Sequence, residues 1–339
     1  MIPLAVDSVG AFTSVGTNAR QTMSSLRTRL SLPGETHFVG NDGEPIVAMP
    51  TPLHLDGVIG PERLLTMALF ALEECARGRE GEALPLLLCV PEPTEVTLPW
   101  DRLIAALAFH APGPIDERQS HVIPAGRAAI AAALTRAQEI VRSGRAPACY
   151  VGAVDSLVDG ERLERLRLAG RIREEAAAGF TPGEGAVFLR VSGAPDASAL
   201  AIISGIGVAS EEATRTSDKT NTGVALARSM RTAIGQSGIG MTDVSFLAHD
   251  VSGERFGFNE LGFALARMRP KNMVKWTPTL SVGEIGAAVG PLAVGYLAFL
   301  LRTGGAPGPV AMFVTASDGP FRGTVVVEGL PGQNEPAER

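Results

Sequence analysis

From Glu62 to Arg77 apolar and polar residues alternate at the spacing of a helix with one buried face, and at Leu84 to Val90 an apolar run follows that reads as a strand covered on both sides. The cycle then repeats. A helix is predicted over Ala128 to Arg142, a small-residue central strand at Ala148 to Ala153 and a further strand at Ala186 to Val191. A turn at Ser192 to Ala197 restarts the pattern with a strand at Ala199 to Val208, a helix at Thr222 to Ile234 and a strand at Ser245 to Ala248. The glycine-rich helix Ile285 to Leu301 and the strand Val310 to Thr315 mirror the 128–142 and 148–153 pair of the first half. This order predicts an α/β fold of two similar halves, residues 1–192 and 199–330, followed by a loose tail at 331–339.

The segment Ile285 to Leu301 is the one run with a membrane-like character, and it falls short of the roughly 20 residues a spanning helix needs, so it is expected in the core. The chain of 339 residues, 45% of them hydrophobic, is long enough to bury a large interior. A net charge of -6 and scattered aromatics leave no basic footprint, which argues against nucleic-acid binding. Cys75, Cys89 and Cys149 lack any paired spacing, so no disulfide framework and no metal site is expected. The N-terminus has no secretory pattern, and a cytoplasmic protein without a cofactor is the expectation.

Four segments carry a more specific signal. They are Val9-Gly10-Ala11-Phe12-Thr13-Ser14-Val15-Gly16 before an Asn18 to Arg29 helix, Val151 to Ser156, Gly179-Phe180-Thr181-Pro182-Gly183-Glu184-Gly185-Ala186, and Gly283 to Leu292. In this order they resemble the β-ketoacyl synthases of the thiolase superfamily, with Gly183, Glu184 and Gly185 in that family's proline-glycine-glutamate-glycine turn. The resemblance implies a thiolase-like five-layer αβαβα fold of two fused halves, paired as a dimer through central strands. It also implies shortening before Ser120 and between Gly185 and Ser245, where such enzymes shape the acyl tunnel and dimer edge.

Ketosynthases form a thioester on a cysteine at a strand-to-helix turn, where backbone amides and the helix dipole favour a thiolate. Here the resemblance places Arg127 at that position, or Gly126 after a one-residue slip. His249 stands where the first family histidine would, without the glycine-threonine-glycine that should follow it; Glu284 replaces the second histidine and Thr279 a lysine. The gating loop is reduced to Ser317-Asp318-Gly319-Pro320-Phe321. The three cysteines fall within predicted helices or strands and read as buried structural thiols.

A cation at a helix N-terminus opposes the dipole by roughly 0.3 to 1 kcal/mol, so Arg127 calls for a partner. The resemblance brings Arg127 beside Glu284, and a salt bridge there would plug the former active site; removing Glu284 alone should then destabilise more than removing both. Alternatively, Arg127 faces solvent and Glu284 caps its helix. The resulting expectation is a catalytically inactive scaffold, adaptor or partner subunit. One version is an adaptor for type VI secretion spike or effector proteins, and another is a chain-length-factor-like partner of a ketosynthase and acyl carrier protein. The enzymatic alternative is a cysteine-independent acyltransferase or decarboxylase using His249.

Overall fold

A computed structural model of the protein describes residues 2–330 apart from 53–54, 56, 80, 82, 97, 112–114, 174–177, 196–197 and 272. The tail expected at 331–339 and the end of the turn at 196–197 therefore lie outside the described residues. The first half runs β1 (Leu4–Thr13), α1 (Ala19–Thr28), the hairpin β2 (Gly34–Val39) and β3 (Pro45–Ala48), α2 (Gly60–Ala76), β4 (Leu86–Val90) and α3 (Trp100–His110). It continues with β5 (His121–Pro124), α4 (Ala129–Arg142), β6 (Ala148–Ser156), α5 (Gly160–Leu168) and β7 (Glu184–Ser192). The second half runs β8 (Ala201–Ser210), α6 (Val224–Ser237), β9 (Phe246–His249), α7 (Arg255–Met268) and β10 (Val274–Trp276). The single turn α8 (Thr279–Val282), α9 (Val289–Arg302), β11 (Val310–Ala316) and β12 (Phe321–Glu328) complete it.

Each predicted helix and strand is present, with ends displaced by a few residues. The hairpin and α3, β5, α5, α7, β10, the single turn α8 and β12 were not predicted. Two physical reasons stand out. Helix α5 buries only Leu163, so its apolar stripe is too thin to read, and β12 opens on Phe-Arg-Gly-Thr, of which Arg322, Gly323 and Thr324 nonetheless sit in the interior.

Among the described residues the large sheet has the order β10-β9-β11-β12-β8-β1-β7-β6-β4-β5. The sequence β1-β7-β6-β4-β5 on one side is matched by β8-β12-β11-β9-β10 on the other, with the same parallel and antiparallel pairings, and the two meet where Leu4–Val6 pair with Ala201–Ile203. Helices α4 and α9 lie between the two half-sheets and pack on strands of both. That position explains why α9 is apolar all round: every face meets a sheet or a helix. The outer layers are α2 and α3 on one side and α6 with α7 on the other, giving five layers.

Close approach of the outer helices depends on glycine. A Cβ at Gly10 of β1 would stand 1.9 Å from the carbonyl oxygen of Ala71 in α2, and one at Gly207 of β8 would stand 1.8 Å from that of Ser229 in α6. Both distances are far inside van der Waals contact, so any side chain there would push the helix off its sheet.

Candidate functional site

Each central helix is entered through a short 3-10 turn, Gly126–Ala128 before α4 and Gly286–Ala288 before α9. Both turns open on a glycine in the left-handed region, Gly126 at φ 57° and Gly286 at φ 55°. A side chain is strained in that conformation, and at Gly286 it would also collide with the Asp155 carboxylate. The two turns pack against each other, so residues beside them share one floor. Ser317 closes the first turn by accepting from the Ala128 amide at 3.0 Å and donating to the Ala125 carbonyl at 2.6 Å. Asp155 closes the second by accepting from the Ala287 amide at 2.9 Å.

The turn at Gly183-Glu184-Gly185 places the partner segment. Gly183 donates its amide to the Glu284 carbonyl at 2.8 Å, and the Glu284 amide donates to Thr181 at 2.8 Å. A Cβ at Gly183 would meet the Val282 carbonyl at 2.2 Å. Glu184 itself is buried and accepts from the Thr51 amide and hydroxyl, from Ser156 and from Arg63. Burial pushes this carboxyl up, but Arg63 and Thr51 together hold it below the usual range.

Arg127 does find a carboxylate. Its Nη1 donates to Glu284 at 3.1 Å, its Nη2 to Asp318 at 2.9 Å and its Nε to the Ala316 carbonyl at 3.0 Å, while Asp250 lies 3.6 Å away. All three guanidinium nitrogens are thus engaged on a side chain only 17% exposed. Glu284 also accepts from Ser252 at 2.7 Å and, on its other oxygen, from the Gly286 amide at 3.1 Å. It therefore forms the salt bridge and caps the turn at once, whereas the sequence presented these as alternatives. Burial pushes the Glu284 carboxyl up and the Asp250 and Asp318 charges add to this, against the pull of Arg127 and Ser252. The Arg127 guanidinium is disfavoured by burial, yet Glu284, Asp318 and Asp250 outweigh that and hold its proton well above the ordinary range.

The network extends beyond the expected pair. Arg171 bonds Glu254 at 2.8 Å and Asp318 at 2.5 Å, and Arg215 bonds Glu254. Burial raises and the arginines lower the Asp318 carboxyl, for a net fall to about 2. Asp250, Ser252, Glu254, Asp318, Arg171 and Arg215 were not read as site residues. Their only sequence signal was indirect: Asp250 and Ser252 occupy the place of the missing glycine-threonine-glycine, and Asp318 sits in the reduced loop.

His249 ends β9 with Nε2 at 3.2 Å from the Thr277 hydroxyl, and its Nδ1 is buried with no hydrogen-bond partner among the described residues. Burial holds its imidazole below the usual range. The free space beside His249 and Arg127 is a void of about 30 Å³, room for water but not for an acyl group. Thr279 is buried and donates to the Val251 carbonyl at 3.2 Å. Cys75, Cys89 and Cys149 are buried free thiols; desolvation pushes Cys75 and Cys149 up to about 12 and Cys89 higher still.

Above the floor opens a cleft of about 1030 Å³, walled by Glu92, Glu95, Arg162, Phe180, Phe256 and Phe321, with Arg127 and Glu284 at its base. Glu95 faces Arg162 at 3.3 Å, and burial moves its carboxyl up to about 7 despite that cation. Among the described residues no group of side chains is arranged to hold a metal ion, and no helix is long and apolar enough to cross a membrane.

The layered architecture has counterparts among solved structures. A chain of the complex AntDE:AntF, described as a type II polyketide synthase acyl carrier protein with its ketosynthase, superposes with a TM-score of 0.78 at 15% identity over 97% of this chain and 99% of that one. The chain has the ketosynthase form of the thiolase-like fold. The ishigamide ketosynthase/chain length factor matches with a TM-score of 0.76 at 14% identity, covering 97% and 99%. The complex of the ketosynthase ApeO with its chain length factor ApeC from Xenorhabdus doucetiae matches at 0.75 and 13%, covering 97% and 98%. No protein-family model and no curated protein matches the sequence.

Proposed function

We propose that this ketosynthase-like chain is a non-catalytic binding subunit, and that its partner is a ketosynthase or acyl carrier protein of an acyl-chain-building synthase. The observation that carries the reading is Arg127. It occupies the place the resemblance assigns to the nucleophile, and its nitrogens are consumed by Glu284, Asp318 and the Ala316 carbonyl. A guanidinium so held offers neither a nucleophile nor a free proton acceptor. Glu284, in the place of the second histidine, opposes a developing oxyanion. His249 is not among the lining residues of the large cleft.

The choice of partner rests on the solved structures of like fold, which include a ketosynthase with its chain length factor and a ketosynthase with its acyl carrier protein. A physical feature supports pairing: β5 bonds β4 on one side only, so its outer edge pairs with no strand among the described residues and offers a template for a second chain. Affinity recovery from the native host, with mass spectrometry of what co-purifies, tests the proposal. A ketosynthase or carrier protein supports it, whereas spike or toxin proteins would replace it with the secretion-adaptor role, and only self-pairing would reduce it to a homodimer. In parallel, incubation with malonyl and acyl thioesters should release no carbon dioxide and leave the intact mass unchanged. Turnover that disappears in His249→Ala would overturn the non-catalytic reading.

A further inference from the structure

Arg322 is wholly buried and heads the largest side chains in that condition among the described residues. Its Nε bonds Glu260 of α7 at 2.6 Å, in a pair as buried as itself. Its Nη1 lies within hydrogen-bond distance of three carbonyls of one short connection, Ser317 at 2.9 Å, Gly319 at 2.7 Å and Phe321 at 2.9 Å, which share its two N–H groups. The remaining carbonyls there are taken as well. Ala316 accepts from Arg127 at 3.0 Å, Asp318 from the Arg215 amide at 3.1 Å and Pro320 from the Glu211 amide at 2.8 Å. The Ser317 amide bonds the Phe321 carbonyl at 3.0 Å and the Gly319 amide bonds Glu92 at 2.8 Å.

Connections between strands ordinarily leave such groups to water and are the first parts of a fold to open. In the link between β11 and β12, every carbonyl from Ala316 to Phe321 instead has a partner inside the protein, drawn from several separate segments. Asp318, Gly319, Pro320 and Phe321 also form part of the wall of the large cleft. Burying an arginine-glutamate pair is costly, and an apolar pair of similar volume would avoid that cost. Arg322 Nη2 even lacks a partner among the described residues, so the pair is poorly explained as a source of stability alone.

We infer that the β11–β12 connection is a locked strut with Arg322 as its positioning residue, and that the cleft is a preformed receptacle rather than one opened by movement of this connection. Arginine is needed because its Nε and Nη1 are separate nitrogens fixed in one plane, so the carboxylate and the carbonyls are met from two points, whereas an ammonium presents its donors from one.

Amide hydrogen exchange followed by NMR on the intact chain tests the inference. In the wild type the amides of Ser317, Gly319, Glu211 and Arg215 should be protected at least about a thousandfold relative to an unstructured peptide, and exchange within about tenfold of the unstructured rate would overturn the strut. Arg322→Lys should lower protection at these amides by about tenfold or more while amides within α4 keep theirs; unchanged protection at Ser317 and Gly319 would remove Arg322 from its role. If that variant does not fold, Glu260→Gln decides, because it leaves the carbonyl bonds in place. Ser317 and Gly319 should then stay within about tenfold of wild type, and a selective loss there, with α4 unaffected, would show that the ion pair and not the fork holds the strut.

Discussion

Arg127 is the residue on which the stability of the cleft floor turns, and its replacement by methionine is the perturbation that tests this. Loss of the guanidinium leaves Glu284, Asp318 and Asp250 facing one another, with side chains 3%, 19% and 6% exposed. Removing one partner of a buried pair costs about 3–5 kcal/mol, and Arg127→Met belongs in that range because what remains is three carboxylates, of which, among the described residues, only Asp318 retains another guanidinium in a salt bridge, that of Arg171. Glu284→Gln is milder. Arg127 keeps Asp318 at 2.9 Å and the Ala316 carbonyl, and the side-chain amide oxygen of that variant still accepts from the Gly286 amide, so a cost of about 1–2 kcal/mol is expected. A pair of two residues would make loss of Glu284 alone worse than loss of both; Asp318 and Asp250 transfer that place to Arg127. In the double variant the cost should fall short of the sum of the singles by about 1–3 kcal/mol. Urea unfolding of the four proteins at pH 7, followed by two spectroscopic probes, measures the cycle through midpoints at constant m. Additivity within about 0.5 kcal/mol, or a cost below about 1 kcal/mol for Arg127→Met, would refute the reasoning.

Three further outcomes are expected. Asp318 is held at about 2 in the folded state, below its unfolded value, so its contribution of about 2 kcal/mol is present above pH 4 and lost as pH falls through 2; Asp318→Asn should flatten acid unfolding in that window. Glu95 has the opposite sign: its folded value of about 7 lies above the unfolded one, so stability declines as pH rises from about 4.5 to 7, and Glu95→Gln should be more stable than wild type at pH 8, as thermal unfolding at both ends will show. The three buried thiols should resist a thiol reagent at pH 8 in the native protein and react only on unfolding; rapid native labelling of any of them would contradict their burial.

Much of the fold was legible in local pattern. The alternation of helical spacing with short apolar runs identifies layers because periodicity is imposed by which faces are covered, and Ala148–Ser156 and Leu86–Val90 are covered on both. Elements whose burial is decided by distant neighbours stayed hidden: β12 carries Arg322 and Thr324 into the core, where Glu260 and Ser229 receive them. The ketosynthase-like turns were readable because glycine is demanded by backbone geometry at Gly126, Gly183 and Gly286, whatever the chemistry around them.

The sequence by itself determined the layered α/β order, the absence of a cysteine from the strand-to-helix turn, and the need of Arg127 for a carboxylate. Only the tertiary structure decided how many carboxylates would come. Asp318 and Asp250 approach Arg127 through the strand order β12-β11-β9, which brings chain positions far apart onto one floor, and Arg171 and Arg215 follow from segments that carry no motif. Local spacing dictates which backbone shapes are allowed, whereas charge balance in a buried floor is a property of everything that meets there.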